Sequence, residues 1–267
     1  MSVQTLYSAA TGMEAMETKL DVIANNLANV STVGFKKGRA NFEDLFYRTE
    51  VLPGAKDEAG GITATGTQIG LGTRVSSIQT DFRQGAFQNT GNPLDVAIEG
   101  NGFLALTDPD GSTVYTRAGN LSVNVNGALV VGSASTGRLV DPPVNVPTDA
   151  ISVSIEFDGR VMAIQPGQAS ATEVGNIQLS SFINPEGLFK LGENLYRETD
   201  ASGTAAPGNP GQNGLGVLRS TMLEASNVEP VHELIDLITT QRAFELNSQA
   251  VRAGDEVLQL VANLRRA

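Results

Sequence analysis

A zinc site on one helix needs two histidines four residues apart with a glutamate beside the first, and this chain begins that pattern once. In His232-Glu233-Leu234-Ile235-Asp236 an aspartate stands where the second imidazole is required. His232 is the only histidine and cysteine is absent, so the chain has no multi-histidine metal cage, thiolate ligand, thiol nucleophile or disulfide. His232 therefore reads as a surface or packing residue of a helix. Asp108-Pro109-Asp110-Gly111 opens like a calcium loop, but its third oxygen ligand and the glutamate at position twelve are missing, which leaves a turn. Gly70-Leu71-Gly72 and Gly214-Leu215-Gly216 lack both the third glycine of a dinucleotide loop and the Lys-Ser/Thr of a phosphate loop. No serine lies in a nucleophile elbow. These absences point away from an enzyme and toward a chain with no cofactor and no metal.

The charge says where partners do not lie. Eighteen basic residues against 29 acidic ones give a formal net charge of −11, the wrong sign for nucleic acid or an anionic membrane surface. The imbalance is concentrated in the middle. Residues 1–40 hold four bases and three acids, residues 228–267 four bases and six acids, and residues 41–227 ten bases and twenty acids. Near-neutral ends suit close packing against further copies, and an acidic middle suits a solvated exterior. No run approaches the ~20 apolar residues of a membrane span, so membrane insertion is not expected. Glu14, Glu17, Lys19 and Asp21 interrupt any apolar core of a secretory signal, and export without a cleaved signal peptide is the expectation.

Stepping outward to the elements, Leu6, Ala9, Met13, Met16, Leu20, Ile23, Leu27 and Val30 recur at alternating spacings of three and four. That is an unbroken heptad seam. With Ser2 as N-cap and Gly34 as stop, it predicts a helix of about 28 residues, ~42 Å long. The C-terminal stretch mirrors it. Ser226 and Glu229 form a capping box, Pro230 suits a first turn, and Leu234, Leu237, Phe244, Val251, Leu258 and Ala262 follow a three/four spacing. Gln241, Ser248 and Asp255 share that stripe. Helices of this length are marginal alone in water, so both ends are expected to order in company. Asn25, Asn26 and Asn29 crowd the end of the first helix, either as a helix terminus or as hydrogen-bonding groups that set register between packed helices.

Between the helices, hydrophobic residues alternate with polar ones. Leu121, Val123 and Val125 precede Asn126-Gly127, with Leu129 and Val131 after it. Ile151, Val153, Ile155 and Phe157 precede Asp158-Gly159, with Val161 and Ala163 after it. Both read as hairpins with two-residue turns. Further strands are expected at 95–98, 103–107, 113–117 and 176–183. Residues 49–74 and 201–216 are rich in glycine without a hydrophobic period, and read as extended arms. The expected fold class is α+β. Residues 1–34 and 227–267 form a helical terminal domain paired like a coiled coil, 35–80 and 200–226 are extended connectors, and 81–199 form a β-rich outer domain.

Against this physical reading stands a resemblance. Ala24-Asn25-Asn26-Leu27-Ala28-Asn29-Val30-Ser31-Thr32-Val33-Gly34-Phe35-Lys36-Lys37 is similar to the signature of the flagellar rod and hook axial proteins, with Asn25, Asn26, Asn29, Gly34, Phe35 and Lys36 as its marked positions. The middle resembles the same family through Gln84-Gly85, residues 90–98, Gly100-Asn101-Gly102-Phe103 and residues 115–119. The C-terminal part does so through residues 224–228 and 240–248. The long glycine-rich arm after Phe46-Tyr47, with 184–188 and 194–196, resembles subunits of the distal rod. Hook and proximal-rod subunits are the alternatives within the family, and a secreted β-rich adhesin the alternative outside it.

The resemblance implies a self-assembling subunit of a helical, tubular drive shaft that carries torque from motor to hook. Its polymer interface would use Leu6, Met13, Met16, Leu20, Ile23, Leu27 and Val30 with Leu234, Leu237, Phe244, Val251 and Leu258. The implied partners are further copies, the proximal rod proteins, the hook protein, the P and L ring proteins and the flagellar export apparatus. The implied place is the basal body within the periplasm.

Overall fold

The structure is a computed structural model that describes residues 3–54, 65–135, 137–167 and 170–264. Among these residues there are two α-helices, α1 (Val3–Ala28) and α2 (Pro230–Leu264), and the rest is β-rich. The fold is therefore mixed α and β. Two compact units compose it: residues 1–28, 38–79 and 229–267 make the helical unit, and residues 29–37 and 80–228 the β-rich unit.

In the helical unit α1 packs along α2. α2 begins at Pro230, where a missing N–H costs nothing. Ser226 Oγ accepts from the Val228 amide at 3.3 Å rather than forming the expected reciprocal box with Glu229. Ser2 lies outside the described residues. The stretch expected as a plain extended connector holds four strands in this unit, β1 (Gly38–Asp44), β2 (Tyr47–Val51), β3 (Thr67–Gly70) and β4 (Thr73–Thr80). β1 pairs with β4, and β2 pairs antiparallel with β3, Tyr47 opposite Gly70 and Thr49 opposite Gln68. Gly60 and Gly61 of this arm lie outside the described residues. Gly72 (φ +124) turns the chain against α1, where an added Cβ would stand 2.2 Å from Thr11 Oγ1.

In the β-rich unit the strand Phe103–Thr107 is the organising element. It pairs antiparallel with Thr113–Thr116, Arg138–Val140 and Leu179–Ser181. Ser152–Ile155, Arg160–Ile164 and Thr172–Asn176 make a separate three-stranded sheet. Alternate side chains of these strands build one core around Ile98, Leu104, Leu106, Leu129, Ile177 and Leu179. A second cluster is aromatic, with Phe103, Tyr115, Phe182 and Tyr196 buried and Phe82 against them. Tyr115 meets Phe182 edge to face at 4.8 Å between centroids.

Both expected hairpins are present, Leu121–Val123 with Leu129–Val131 and Ser152–Ile155 with Arg160–Ile164. Their turns are wider than two residues. Asn124 Oδ1 accepts from the amides of Asn126 and Ala128, which ends the first strand early and leaves Val125 in solvent. Residues 200–226 contain the strands Ala206–Gly208, Val217–Ser220 and Met222–Glu224 and belong to this unit.

Candidate assembly surface

Three contacts fix how the helices meet. Gly254 faces Leu6, so close that a Cβ there would come within 2.3 Å of the leucine's Cδ2. Gly12 faces the Asn247 amide nitrogen, 3.0 Å from where its Cβ would be. Asn26 Nδ2 donates to Glu233 Oε2 at 3.2 Å. Twenty residues of α1 are thus matched by twenty-one of α2 in the opposite direction, an antiparallel pair in step along its length.

The covered stripe of α2 runs through Leu237, Thr240, Phe244, Asn247, Val251 and Gly254, all buried or half-buried. The expected stripe shares Leu237, Phe244 and Val251 but alternates them with Gln241, Ser248 and Asp255. The reason is steric. α1 presents Ala9, Gly12 and Ala15 as buried small residues, and small or compact polar groups on α2 let the backbones approach. On α1 Ile23 is buried, and Leu6, Met13, Met16, Leu20 and Leu27 are half-buried; Leu234 and Leu258 of α2 are exposed. Val30 lies past the helix end, half-buried in the β-rich unit.

α2 also carries apolar groups that α1 does not cover. Val231, Leu234, Ile235 and Ile238 recur at i, i+3, i+4 and i+7, and all are exposed, Val231 at 70 % and Ile238 at 56 %. Turning 100° per residue, they lie on the side of α2 away from Leu237 and Thr240. A helix apolar on both sides has one side left to fill. Near the opposite end of the pair, Leu6, Tyr7 and Ala10 of α1 and Val251, Arg252 and Asp255 of α2 line a cavity of about 510 Å3. The β2–β3 arm exposes Phe46, Tyr47, Leu52 and Ile69.

The marked asparagines divide between the two expected roles. Asn26 is buried and ties α1 to the start of β1, its Nδ2 donating to Gly38 O and its Oδ1 accepting from Gly38 N, each at 2.9 Å. With its bond to Glu233, this makes Asn26 a register-setting group. Asn29 shapes the helix terminus, its Oδ1 accepting from Thr32 Oγ1 at 3.1 Å and its carbonyl from the Thr32 amide. Asn25 is exposed.

Within the β-rich unit the marked Lys36 meets a buried carboxylate. Lys36 and Glu224 are both wholly buried, Nζ to Oε1 2.7 Å, and Arg117 Nε reaches the other oxygen at 3.0 Å. The Gly85 amide donates to Oε1 at 2.8 Å. Lys36 also donates to Arg83 O at 2.7 Å and Arg117 to Gly100 O at 2.8 Å. Burial pushes the Lys36 amine below the ordinary lysine range, Arg117 pushes it the same way, and Glu224 opposes both.

Gly34 (φ +70) donates its amide to Glu224 O at 2.8 Å and sits where a Cβ would be 2.8 Å from the Ala118 nitrogen. Only glycine suits that position. Phe35 is half-buried, its ring 5.9 Å from Lys190 Nζ. Asn227 completes the tie, accepting from Lys37 N at 2.8 Å and donating to Asp81 O at 2.8 Å. Three sequence motifs far apart in the chain are therefore one object. The sequence marked Lys36 but assigned no role to Arg117 or Glu224; the signal was a charged residue in each of three short motifs.

Among the described residues no cluster of His, Asp and Glu has metal-site geometry, and no helix is long and apolar enough to cross a membrane. Three family profiles match the chain. Residues 6–36 match the flagella basal body rod protein, residues 97–163 the D1 domain of flagellar hook protein FlgE/F/G, and residues 219–264 the C-terminal part of flagellar basal body rod FlgEFG proteins. The chain is 43 % identical over 269 residues to the flagellar basal-body rod protein FlgG of Bacillus subtilis (99 % of this chain, all of the relative). It is 42 % identical over 264 residues to the protein of that name from Caulobacter vibrioides (98 % and 100 %). To the flagellar hook protein FlgE of Salmonella typhimurium it is 24 % identical over 417 residues (96 % and 99 %).

Proposed function

The chain belongs to the family of the flagellar basal-body rod protein FlgG, and from that premise we propose how its surfaces build the rod. It is a structural subunit of the distal rod, and its place is the flagellar basal body. The hook protein is a more distant relative. Copies stack through the helical unit, and the observation that carries this reading is the second apolar side of α2, Val231-Leu234-Ile235-Ile238, exposed in the single chain. The expected seam residues Leu6, Met13, Met16, Leu20, Ile23 and Leu27 with Leu237, Phe244 and Val251 hold the pair together, with knobs entering holes as in a coiled coil. Leu234 and Leu258 belong to the outward surface that meets other copies.

The resulting tube carries torque through the periplasm, with proximal rod proteins on one side, the hook protein on the other and the P and L ring proteins around it. The subunit reaches that position through the flagellar export apparatus with its N-terminus intact. The β2–β3 arm lies along a neighbouring subunit, covering its own Phe46, Tyr47, Leu52 and Ile69. The test is Ile235→Asp. An exposed substitution leaves the single chain's folded signal within about 0.5 kcal/mol of the parent. Rods are expected to be absent from basal bodies of cells carrying it, and rods of normal length and number would refute the assignment of this surface.

A further inference from the structure

The unfilled side of α2 and the cavity at the far end of the helical pair are different surfaces on one chain. The first is a convex row, Val231, Leu234, Ile235 and Ile238. The second is a concave apolar site between Leu6, Tyr7 and Ala10 and the α2 residues Val251, Arg252 and Asp255. A row of i, i+3, i+4 and i+7 anchors is the shape by which a helix enters a groove between two others. A contact that joins two unlike surfaces cannot close on itself as a two-fold dimer does, and repeats as a ring or an open filament.

The charges beyond the two surfaces set a register. Past Ala10, the outer side of α1 continues with Glu14, Glu17 and Asp21, all exposed, while Lys19, the base of this stretch, is half-buried. Past Ile238, the outer row of α2 reaches Arg242, whose side chain is 75 % exposed and pairs with Glu245, itself 56 % exposed, at 3.0 Å. Glu14 is four residues beyond Ala10, and Arg242 is four residues beyond Ile238. Because both helices rise ~1.5 Å per residue, placing Ile238 at Ala10 places Arg242 at Glu14.

Resting on the assignment of the chain as a rod subunit, we propose that the tip groove of one copy receives the Val231–Ile238 row of a second copy. The incoming α2 runs parallel to the receiving α1, and Arg242 pairs with Glu14. The contact is head to tail, so each copy uses its groove for one neighbour and its row for another.

The absence of cysteine from the chain makes the test direct. Full-length Ala10→Cys/Ile238→Cys is expressed in place of the native chain, basal bodies are isolated, and the rods are oxidised and run under non-reducing conditions. A ladder of covalent multimers is expected. The control Ala28→Cys/Ile238→Cys, with the second thiol at the other end of α1, is expected to stay monomeric. Rods that give the ladder only with the control, or with neither pair, overturn the pairing and leave the rod assignment intact. Absence of the unaltered chain from rods overturns both.

Should the cysteines themselves prevent assembly, a charge exchange reads the same register. Arg242→Glu alone is expected to raise the subunit level needed for rod growth about two- to fivefold, the worth of one exposed ion pair. Glu14→Arg with Arg242→Glu is expected to restore it, and a double variant no better than the single one sinks the proposal.

Discussion

Glu224 faces two cations with one carboxylate, and that imbalance decides how substitutions there behave. Removing its charge leaves Lys36 and Arg117 buried beside each other without a counter-ion. Glu224→Gln is therefore expected to cost about 3–5 kcal/mol in urea unfolding of the β-rich unit. The exposed pair Arg219–Glu99 supplies the contrast, since Arg219→Ala should cost below about 1 kcal/mol. A loss from Glu224→Gln no larger than that of Arg219→Ala would show the cluster to be dispensable. The aromatic cluster predicts an alkaline limit. Burial pushes the Tyr115 phenol up to about 12 and raises that of Tyr196 as well. A folded pKa above the unfolded value of about 10 means that the folded state holds its proton longer. The contribution is whole below pH 10 and is lost as pH climbs from 10 through 12. Circular dichroism followed together with tyrosinate absorbance checks it, and phenols that titrate near 10 while the fold persists would contradict it. None of this was legible in advance, because a buried ion and a solvated one have the same letter. What could be read was that Lys36 and Gly34 sit in a run too specific to be a plain turn.

At the scale of elements the pattern of side chains told more. The start of α2 was anticipated because Pro230 is a local signal, whereas the seam read through Val30 with Gly34 as stop overran the end of α1 at Ala28. The strands at 103–107 and 113–116 were legible for the same reason. The stripe that α2 turns toward α1 was not, since Thr240, Asn247 and Gly254 are chosen by the partner's Ala9, Gly12 and Ala15. Hydrophobicity alone pointed to the neighbouring positions. The arm was misjudged in the same manner. Its glycines suggested an extended connector, yet β2 and β3 pair across it, and its base is held to α1 by Gln4 Nε2 donating to Gly70 O at 3.5 Å and the Thr73 amide to Thr11 Oγ1 at 3.4 Å. Exposed apolar groups on an ordered hairpin mark a contact surface. Deleting residues 46–71 is expected to give rods that are bent or break on isolation. Straight, full-strength rods in electron micrographs would reduce the arm to a passive loop.

For the whole molecule, the helical unit is the part whose order is expected to depend on assembly. Its covered stripe is narrow and interrupted by polar residues, and one apolar side of α2 stays wet, so the burial that opposes chain entropy is incomplete in a single copy. Hydrogen exchange on the free subunit is expected to show fast exchange in α1 and α2 and slow exchange in the core strands around Leu104 and Leu179. Equal protection throughout would refute it. The near-neutral ends and acidic middle of the sequence do not map onto the two units, because residues 38–79 join the helical unit and 200–226 the other. Long-range pairing decides such membership, and no local spacing records it.

The antiparallel match of Leu6 to Gly254 and Asn26 to Glu233 has a consequence for timing. α1 is made long before α2 and waits for it, and within α2 the Glu233 end is made before the Gly254 end. A polypeptide released ahead of Pro230 has no α2 to lay against α1. A product that stops there lacks the Val231–Ile238 row as well, and is expected to be missing from rods.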